Sequence, residues 1–439
     1  MPDQKRSEVV LILAHERSLN KAWSLINYFG RSSLVILVTE SWVDLERYDI
    51  KYIGHLVKIN HFDISIVDKL PQDPTQVYSV SENLLDLQAR IENHFNIQNL
   101  SIEAAKSLSN KWEFNNYCRS VGLGEYMPDV WRPQSINEFA NMPDLQYFTK
   151  PDIGTGSFGL LKEKGYPDIE YKVWRKKKYF FNFIQKNNFV DCFFEINQIG
   201  LKVERYNLKT YKIIFEEYCS SDDIVWAPCG IVIDGELRLA YFIKILKISE
   251  ANSNFQFDGN IGGYSVQDKV IWTVPVSRVP LQIFEKTYSF LERLITSLKV
   301  KNLFFSGPDF FIKSGVIKGI DFNPRIGHLF NLIDKALGGE LMNQIFTKKG
   351  HLDMSECCLW GAIQLQPGRV ISYVENPQLM MNVICPNRSP KVGSNILTFQ
   401  SLQNRGVGIS VFLKSCIEEN LLDEYQKMTE EFNKCYTSR

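Results

Sequence analysis

Three side chains that offer oxygen ligands to a metal ion lie in one short stretch of the chain: Asp309, Asp321 and Asn323. Asp321 and Asn323 are two residues apart, so both project from the same face if the chain is extended there. Carboxylate and carboxamide oxygens suit Mg²⁺, which usually reaches a protein through one or two carboxylates plus substrate phosphates. Arg325 follows, and it would offer a forked donor to a carboxylate or phosphate in the same place.

A β-hairpin is predicted to bring these residues together. The apolar, β-rich runs 310–312 and 316–317 flank a Lys-Ser-Gly turn at 313–315, where glycine can adopt a positive φ. If the hairpin closes, Asp309 at the start of its first strand comes near Asp321 at the end of its second. An ordinary hairpin with Asp and Asn at its turns is the alternative that this stretch alone leaves open.

A second stretch, residues 146–161, predicts a strand, a glycine-rich loop and another strand. The loop contains Gly154, Gly156, Ser157 and Gly159, and its small residues allow backbone N–H groups to approach phosphate oxygens closely. Lys150, at the end of the first strand, would reach the same phosphates. The loop is not a P-loop, because no Gly-Lys-Ser/Thr follows the glycines. A flexible hairpin without a ligand would look similar.

The composition limits the classes of function. At 439 residues the chain is long enough for two or three domains. Its 50 basic residues balance 50 acidic ones, so no net charge favours nucleic acid or an anionic membrane. No apolar run approaches the roughly 18 residues of a membrane span, and the first residues carry no secretory signal. The nine scattered cysteines have no zinc-binding spacing, which favours reduced thiols in a cytoplasmic protein.

The N-terminal residues predict an α/β unit. Residues 8–14 and 33–39 are apolar runs typical of buried parallel strands, and residues 18–30 between them predict a helix. The link after Ala14 has no glycines, so a dinucleotide-binding fingerprint is absent. Further along, the pattern predicts an amphipathic helix over 82–96 and a helical stretch over 101–122 that ends at a glycine. Residues 123–143 are predicted to be an irregular or alternating connection.

The rest of the chain is predicted from similar patterns. Residues 211–217 are a strand that ends in Glu216 and Glu217, and 230–240 are a hairpin with an Asp-Gly turn. The least regular piece is 163–210, whose basic run Arg175–Lys178 is either a solvated helix face or a docking patch for an acidic partner or polyphosphate. The C-terminal residues predict strand-like runs at 359–365, 381–385 and 408–413, and a polar helix at 417–433.

The ordered set of a lysine, a glycine-rich loop, a strand ending in Glu-Glu, and then Asp with Asp-x-Asn-Pro-Arg resembles the ATP-grasp superfamily over roughly residues 105–350. The resemblance implies an α+β / α/β architecture in which two lobes hold ATP. It implies three parts. Residues 1–103 would be a Rossmann-like α/β domain, 104–350 the ATP-grasp domain, and 351–439 a small β-rich segment with a terminal helix.

The resemblance also implies roles for residues at matching positions. Lys111 and Lys150 would meet the ATP phosphates, Glu216 the adenine amino group, and Asp223 the ribose hydroxyls. Asp309, Asp321 and Asn323 match the Mg²⁺ ligands, and Arg325 matches the arginine that holds an acylphosphate or substrate carboxylate, which makes Arg325 and Lys150 the catalytic pair. The other nucleotide-binding positions are Gly154, Gly156, Ser157, Gly159, Glu217, Tyr218 and Cys219.

The sequence departs from the family pattern at three points. Asp321 and Asp223 stand where the family usually has Glu, and the shorter Asp321 puts bidentate bridging of two metal ions in doubt. After Arg325 many members continue with Gly-Gly, whereas here Ile326-Gly-His328 follows. His328 is predicted either to face the acceptor site or to be packed in the core.

The activity implied by the resemblance is ATP-dependent ligation. An amino acid or small peptide would be activated as an acylphosphate and joined to an amine, with small-molecule substrates as partners, as in stand-alone L-amino-acid or peptide ligases. Two alternatives stay open. One is thioester formation on an acidic carrier protein, which the Arg175–Lys178 run would suit, and the other is a non-catalytic ATP-binding regulatory protein. A homodimer is common in the superfamily, and neither a nucleic acid nor a membrane is expected as partner.

Overall fold

The computed structural model describes residues 8–45, 52–153, 172–202, 210–219, 224–247, 269–313, 316–352, 354, 356–363, 368–373, 395–396, 409–416 and 418–438. In these ranges the chain is a mixed α/β protein that contains one parallel sheet and several antiparallel ones, as the sequence predicts.

The parallel sheet lies at the N-terminus and confirms the predicted α/β unit. Its strands are β1 Val9–Leu13, β2 Leu34–Glu40, β3 His55–Ile59 and β4 Gln76–Ser79, in the order β3-β2-β1-β4. Helix α1, Leu19–Phe29, connects β1 to β2, and α2, Leu85–His94, follows β4. The strand order reverses between β1 and β4, and in open α/β sheets ligands bind in the crevice at the carboxyl ends of such strands.

The helical stretch predicted over 101–122 is two helices, α3 Ile102–Ser109 and α4 Lys111–Ser120. The break lies at Asn110, whose backbone is extended and whose side chain accepts hydrogen bonds from the N–H groups of Trp112 and Glu113. Asparagine is a preferred N-cap because its side chain satisfies otherwise unpaired N–H groups of the first turn. The cap places Lys111 at the first residue of α4.

An antiparallel sheet follows, in which the strands 130–131, 213–217, 147–151 and 172–174 lie side by side in that order. Helices lie in stretches where the sequence predicted irregular structure. Phe139, Phe180 and Phe193 lie on three helices and pack around Phe215 of the sheet. The apolar faces of these short helices build this core. The connection 123–143 is irregular apart from short elements, whereas the described part of 163–210 is more regular than expected. The elements are β5 Val130–Trp131, α5 Ile136–Asn141, β6 Tyr147–Pro151, β7 Lys172–Trp174, α6 Lys177–Lys186, α7 Val190–Ile199, β8 Leu201–Lys202, β9 Thr210–Tyr211 and β10 Ile213–Glu217.

The largest sheet has eight strands: β11 Ile224–Ile233, β12 Glu236–Lys247, β13 Lys269–Val274, β14 Leu303–Ser306, β15 Asp309–Lys313, β16 Val316–Ile320, β17 Cys357–Ile363 and β20 Ile409–Ser415. The predicted hairpin of β11 and β12 is confirmed. Asp234 and Gly235 form its turn with φ of 53° and 83°, as a type I′ turn requires. Helix α8, Leu281–Leu298, packs against this sheet through Phe290 and Leu294.

Two helices, α9 His328–Ala336 and α10 Glu340–Thr347, join the large sheet to the N-terminal unit. Asn331 of α9 accepts hydrogen bonds from the backbone N–H and the hydroxyl of Ser24 on α1, at 3.1 and 2.9 Å. Apolar residues of α1, α9 and α10 share one core cluster with β1 and β2. The loop that precedes α9 is therefore held against the parallel sheet.

The C-terminal residues contribute β17 and β20 to the large sheet. They also form a separate sheet of β18 Gly368–Tyr373, β19 Asn395–Ile396 and β21 Tyr436–Ser438, in the order β19-β18-β21, and the helix α11 Glu418–Cys435. The predicted runs 359–365 and 408–413 and the helix 417–433 agree with these elements, whereas 381–385 lies outside the described residues. The eight cysteines in the described ranges are free thiols. Of the helices described, none has the length and apolar character needed to cross a membrane.

Candidate active site

The β15–β16 hairpin forms as predicted and brings Asp309 beside the end of β16. Asp309 pairs with Ile320 in the hairpin register, directly before Asp321. The strand ends there, because Asp321 has a left-handed backbone with φ of 52°. The argument that Asp321 and Asn323 share a face of an extended strand is therefore wrong. Their proximity comes from this turn, in which Asn323 Nδ2 donates to the main-chain oxygen of Asp321 at 3.0 Å.

The strand that enters the hairpin is fixed by close backbone contacts. Ser306 and Asn323 exchange two backbone hydrogen bonds of 2.9 Å, and Gly307 N–H donates to Pro228 O at 2.7 Å. Gly307 has φ of 99°, and a side chain there would meet the main-chain oxygen of Asp321 at 2.9 Å. Glycine is required at this position because only it combines positive φ with such close packing.

Lys150 joins this hairpin end to the antiparallel sheet of β5, β6, β7 and β10. Its Nζ donates to Glu216 Oε1 at 2.8 Å and to Asp321 Oδ1 at 2.9 Å, and the lysine side chain is fully buried. Lys150 lies on β6 and Glu216 on the adjacent strand β10. We call Lys150, Glu216 and Asp321 the lysine triad.

The charges of the lysine triad are set by burial and by their mutual contacts. Burial alone would lower the pKa of Lys150, but the carboxylates of Asp321 and Glu216 outweigh it and raise that pKa above its usual value. Burial would raise the pKa of Asp321, but Lys150 and then Lys111 lower it. Burial raises the pKa of Glu216 despite Lys150. Lys150 is therefore protonated and Asp321 ionised at neutral pH.

The residues after Glu216 are held in a fixed backbone conformation. Glu217 N–H donates to Asp129 O at 2.7 Å, and Tyr218 N–H donates to Gln146 O at 3.0 Å. Cys219 is partly buried, and burial raises the pKa of its thiol to about 12, so it is protonated. Glu216 meets the hairpin end through Lys150, and Cys219 packs against the cluster of Val225, Phe311 and Ile320.

Lys111 is placed by a buried aspartate that sequence reasoning missed. Its backbone N–H donates to Asp152 O at 2.7 Å. The Asp152 carboxylate, 2% exposed, accepts hydrogen bonds from Asn110 Nδ2 at 3.2 Å, Lys212 N–H at 2.9 Å and Arg132 at 3.4 Å. Asp152 thus ties the start of α4 to the residues that flank Lys150. A charged residue two positions after Lys150 in an apolar strand is the signal that would have found it.

Arg325 reaches the N-terminal unit, which the sequence did not indicate. Its Nε lies 3.7 Å from Oε2 of Glu82, which follows the end of β4 by three residues and is 7% exposed. Its second guanidinium nitrogen donates to Asn323 Oδ1 at 3.1 Å. Lys21 of α1 is near both charges: burial, and next the charge of Arg325, lower the pKa of Lys21 to about 7, while Glu82 opposes them. We call Lys21, Glu82 and Arg325 the crevice cluster.

Several predicted residues lie outside the described residues: Gly154, Gly156, Ser157, Gly159 and Asp223. His328 is the first residue of α9. The basic run Arg175–Lys178 precedes and begins α6. Lys177 donates to the main-chain oxygens of Ala140 and Met142 at the end of α5, and Lys176 lies 3.5 Å from Asp144. Lys178 Nζ lies 5.2 Å from the ring centroid of Tyr179, so most of the run contacts neighbouring residues rather than solvent alone.

The donor set at the hairpin end fits Mg²⁺ in its chemistry. Asp309 and Asp321 supply hard carboxylate oxygens, and Asn323 Oδ1 is held by Arg325. Across the part of the chain that the structure describes, no group of three or more His, Cys, Asp or Glu side chains is arranged to hold a metal ion. A metal ion here would therefore depend on the carboxamide and on oxygens from a bound substrate, which is the usual situation for Mg²⁺.

The arrangement defines the class of fold: the chain has the ATP-grasp fold. No protein-family model and no curated sequence matches the chain. The structure is similar to the L-amino acid ligase from Bacillus licheniformis, with a TM-score of 0.67 and 13% identity over 99% of this chain and 100% of that one.

Two other solved structures extend the comparison. The phosphoribosylglycinamide synthetase from Anaerococcus prevotii gives a TM-score of 0.59 and 13% identity, covering 99% of both chains. The carboxyaminoimidazole ribonucleotide synthase from Aspergillus clavatus, solved with ATP, gives 0.58 and 12% identity, covering 97% of this chain and 99% of that one. At these identities the likeness is one of fold.

Proposed function

We propose that the protein is an ATP-dependent ligase that activates the carboxylate of an amino acid or small peptide and joins it to an amine. The observation that carries this proposal is the lysine triad. It joins the strand end that bears Lys150 and Glu216 to the hairpin end that bears Asp321, in a chain with the ATP-grasp fold. Three of the residues at which the chain resembles that family therefore contact one another.

The proposed reaction has two steps. A carboxylate oxygen of the substrate attacks the γ-phosphorus of ATP, so that ADP leaves and an acylphosphate forms. The amine nitrogen then attacks the acyl carbon, phosphate departs with one of the original carboxylate oxygens, and the nitrogen loses a proton. Phosphoryl transfer needs little covalent help from a protein, since positioning and charge neutralisation account for most of the catalysis.

The side chains of the chain supply that positioning. Lys150 and Lys111 would neutralise charge on the transferred phosphate, and Arg325 would hold the carboxylate that becomes the acylphosphate. Asp309, Asp321 and Asn323 would hold Mg²⁺, which acts as a Lewis acid and neutralises phosphate charge when bound. The ionised state of Asp321 suits it to this role.

The nucleotide side of the site is proposed on the same basis. Glu216, buried beside Lys150, would accept a hydrogen bond from the adenine amino group, and the fixed backbone at Tyr218 would line the base. Asp223 and the glycine-rich loop would complete this side, as the resemblance implies.

The experiment that tests the proposal is the release of ADP and phosphate by the purified chain with MgATP, first with pooled L-amino acids and then with each one singly. Release that depends on a particular amino acid, with a product mass equal to the two substrates minus water, supports a ligase. Substrate labelled with ¹⁸O in its carboxylate should transfer one label to phosphate if an acylphosphate forms.

Other outcomes distinguish the alternatives. Two of the solved neighbours are named for ribonucleotide products, so the screen should include amines and carboxylates that are not amino acids. Release that requires one of those compounds would overturn the amino-acid assignment but keep the ligase. Tight MgATP binding with no release in any mixture would overturn the ligase for free small molecules.

A further inference from the structure

Arg132 is a cation outside the lysine triad that lies on the same sheet face as the triad. Glu216 of β10 pairs with Val130 of β5 on one side, and β6 with Lys150 lies on its other side. Opposite residues in an antiparallel ladder project to one face, and so do residues two apart along a strand. Arg132 follows Val130 by two residues and precedes Pro133, which favours an extended backbone. Its side chain therefore projects to the face that bears Glu216 and Lys150.

Two contacts hold the guanidinium group of Arg132. Its Nη1 lies 3.4 Å from Oδ2 of Asp152, and its central carbon lies 4.5 Å from the centre of the Trp112 ring. A guanidinium over the face of an indole is attracted by the negative charge of that face. The Arg132 side chain is 16% exposed, so salt screens these contacts much less than it would at the surface. The group is therefore fixed between a carboxylate and an aromatic ring.

Both partners of Arg132 are attached to Lys111. Trp112 is the next residue in the first turn of α4, and the Lys111 N–H donates to the main-chain oxygen of Asp152 at 2.7 Å. Asn110, the N-cap of α4, donates to the carboxylate of Asp152 at 3.2 Å. Arg132 therefore holds the first turn of α4 against the end of β6 through two separate contacts.

These contacts cross between two parts of the molecule that have different cores. Phe114 of α4 is buried in the cluster that contains α8 and the large sheet. Phe215 of β10 is buried in the cluster that contains α5, α6 and α7. Lys111 belongs to the first part and Lys150 to the second. The spacing between the two lysines is therefore set by the contacts that cross between the parts rather than by one shared apolar core.

We propose that Arg132 is a positioning residue that fixes the spacing between Lys111 and Lys150 at the ATP phosphates. It does so by stacking on Trp112 and pairing with Asp152. The inference rests on the proposed function, in which the two lysines meet the phosphates. Cations that are already in place stabilise phosphate charge without a cost of reorganisation, whereas a mobile cation must first be ordered. Arg132 acts through the placement of Lys111 and needs no contact with the nucleotide.

The test measures the equilibrium binding of MgATP and of adenosine, the latter by competition with a fluorescent ATP analogue. Adenosine has no phosphates, so a change confined to MgATP reports on the phosphate side of the site. The Kd for MgATP should rise about 5- to 20-fold in R132Q, because the cation–π contact and the ion pair are both lost. The Kd for adenosine should stay within about twofold.

Two further variants complete this comparison. R132K keeps the charge but loses the planar group that stacks on the indole, so its Kd for MgATP should lie between those of R132Q and the wild type. R90Q changes an exposed arginine on α2 and should bind both ligands as the wild type does. A wild-type Kd for MgATP in R132Q would overturn the inference. An equal rise for MgATP and adenosine would also overturn it, because such a rise indicates a general disturbance of the fold.

A double-mutant cycle tests the contact with Trp112. W112L removes the aromatic ring and should raise the Kd for MgATP, whereas W112F keeps an aromatic face and should recover most of the loss. R132Q/W112L should bind MgATP no more weakly than R132Q alone, since the two side chains act as one unit. Multiplied effects of the two single changes would contradict the stacking role. If R132Q does not fold, W112F against W112L decides, because neither changes a charge.

Binding without turnover separates this inference from the proposed function. A loss of MgATP binding in R132Q that spares adenosine, in a chain that joins no amine to any carboxylate, would support the inference and overturn the ligase. Wild-type binding by R132Q, in a chain that releases ADP with an amino acid, would overturn the inference and keep the ligase. A wild-type chain that binds neither MgATP nor adenosine at millimolar concentration would overturn both.

Discussion

The lysine triad and the crevice cluster meet at one short segment, residues 321–325, but their charges are arranged differently. In the triad a fully buried lysine contacts two carboxylates at 2.8 and 2.9 Å, so the cation has a partner on either side. In the crevice cluster the ion pair of Arg325 with Glu82 is longer, at 3.7 Å, and the pKa of Lys21 is lowered to about 7, so this lysine is only partly charged near neutral pH. The charges of the first cluster are matched within the protein before any ligand binds, whereas the charge balance of the second depends on whether Lys21 is protonated.

This difference indicates a division of labour along the segment. A closed ion network holds side chains in one geometry before any ligand arrives, which phosphoryl transfer requires. The crevice cluster has no such fixed balance, because burial and the charge of Arg325 lower the pKa of Lys21 into the neutral range. The left-handed backbone of Asp321, at φ of 52°, lies on the closed side. Such strain in a non-glycine residue persists where the surrounding structure fixes it, often at functional sites.

The change with the largest expected effect is D309N, which neutralises one of the proposed metal ligands and keeps its shape. ADP formation should fall by roughly 10³-fold or more, because charge on the transferred phosphate loses its stabilisation. The unfolding midpoint should stay near that of the wild type. D234N is the matched control, since Asp234 is exposed at the turn of β11 and β12 and its φ of 53° also suits asparagine. Wild-type turnover in D309N would contradict the site assignment.

The second prediction concerns the stability of the closed cluster. K150M removes the cation and leaves Glu216 and Asp321 buried without it, which should lower the free energy of unfolding by about 3–5 kcal/mol. The triple variant K150M/E216Q/D321N should recover most of that stability, because no buried charge remains unpaired, yet it should stay inactive. Urea denaturation and ADP release measure the two properties separately.

Two results would contradict this prediction. Equal stability of K150M and the wild type would mean that the ion network is solvated in solution. A triple variant as unstable as K150M would mean that the packing of Lys150, rather than its charge, holds β6 to the hairpin end.

The triad was the part of the site that the sequence predicted best. Lys150, Glu216 and Asp321 each stand at the end of a predicted strand, so local pattern and order along the chain identify them. Their contacts could not be predicted, because they join residues 66 and 171 positions apart. The left-handed turn at Asp321 was also missed, since an Asp-x-Asn pattern in an apolar run fits an extended strand equally well.

The crevice cluster was missed for a different reason. Glu82 and Lys21 carry no motif, and their meeting with Arg325 depends on the order of the strands and on the packing of α9 against α1. Strand order is a tertiary property that periodicity does not encode. The aromatic helices α6 and α7 were missed because their flanking sequence is rich in Lys and Asn, whereas the break at Asn110 had a local signal in its capping side chain.

A buried carboxylate without a cation provides a third comparison. Glu92 on α2 is fully buried and accepts hydrogen bonds from the neutral donors Gln88 Nε2 and Leu100 N–H, both at 3.1 Å. Burial raises its pKa from 4.5 to about 8, with these bonds opposing the shift. Between these values the folded state keeps a proton that the unfolded state has released. Stability therefore falls as pH rises through this range, by up to about 1.4 kcal/mol per unit.

E92Q should remove this slope, because glutamine does not titrate and still accepts from Leu100. The free energy of unfolding of E92Q minus that of the wild type should therefore be larger at pH 8 than at pH 5, by a few kcal/mol at most. Urea denaturation at half-unit pH steps measures the difference. E103Q, at an exposed glutamate on α3, is the control. A difference between E92Q and the wild type that does not change with pH would contradict the buried, protonated state.

The smallest predicted effect concerns Asp152, which links the closed cluster to Lys111. D152A removes the acceptor of Asn110, Lys212 and Arg132 and should loosen the start of α4. Since the backbone bond from Lys111 to Asp152 remains, we expect the KM for ATP to rise about 5- to 10-fold with a smaller loss in kcat. D152N keeps one acceptor oxygen and should lie between D152A and the wild type.

The same assay with D144A separates this positioning role from a general loss of stability, because Asp144 is an exposed aspartate whose side chain pairs with Lys176. D144A should leave the KM for ATP unchanged. If D152A instead lowers only the unfolding midpoint and leaves the KM for ATP as in D144A, Asp152 stabilises the fold without placing Lys111. If D152A raises the KM for the amino acid as much as that for ATP, the lysine triad and the crevice cluster are coupled through α4 and do not act separately.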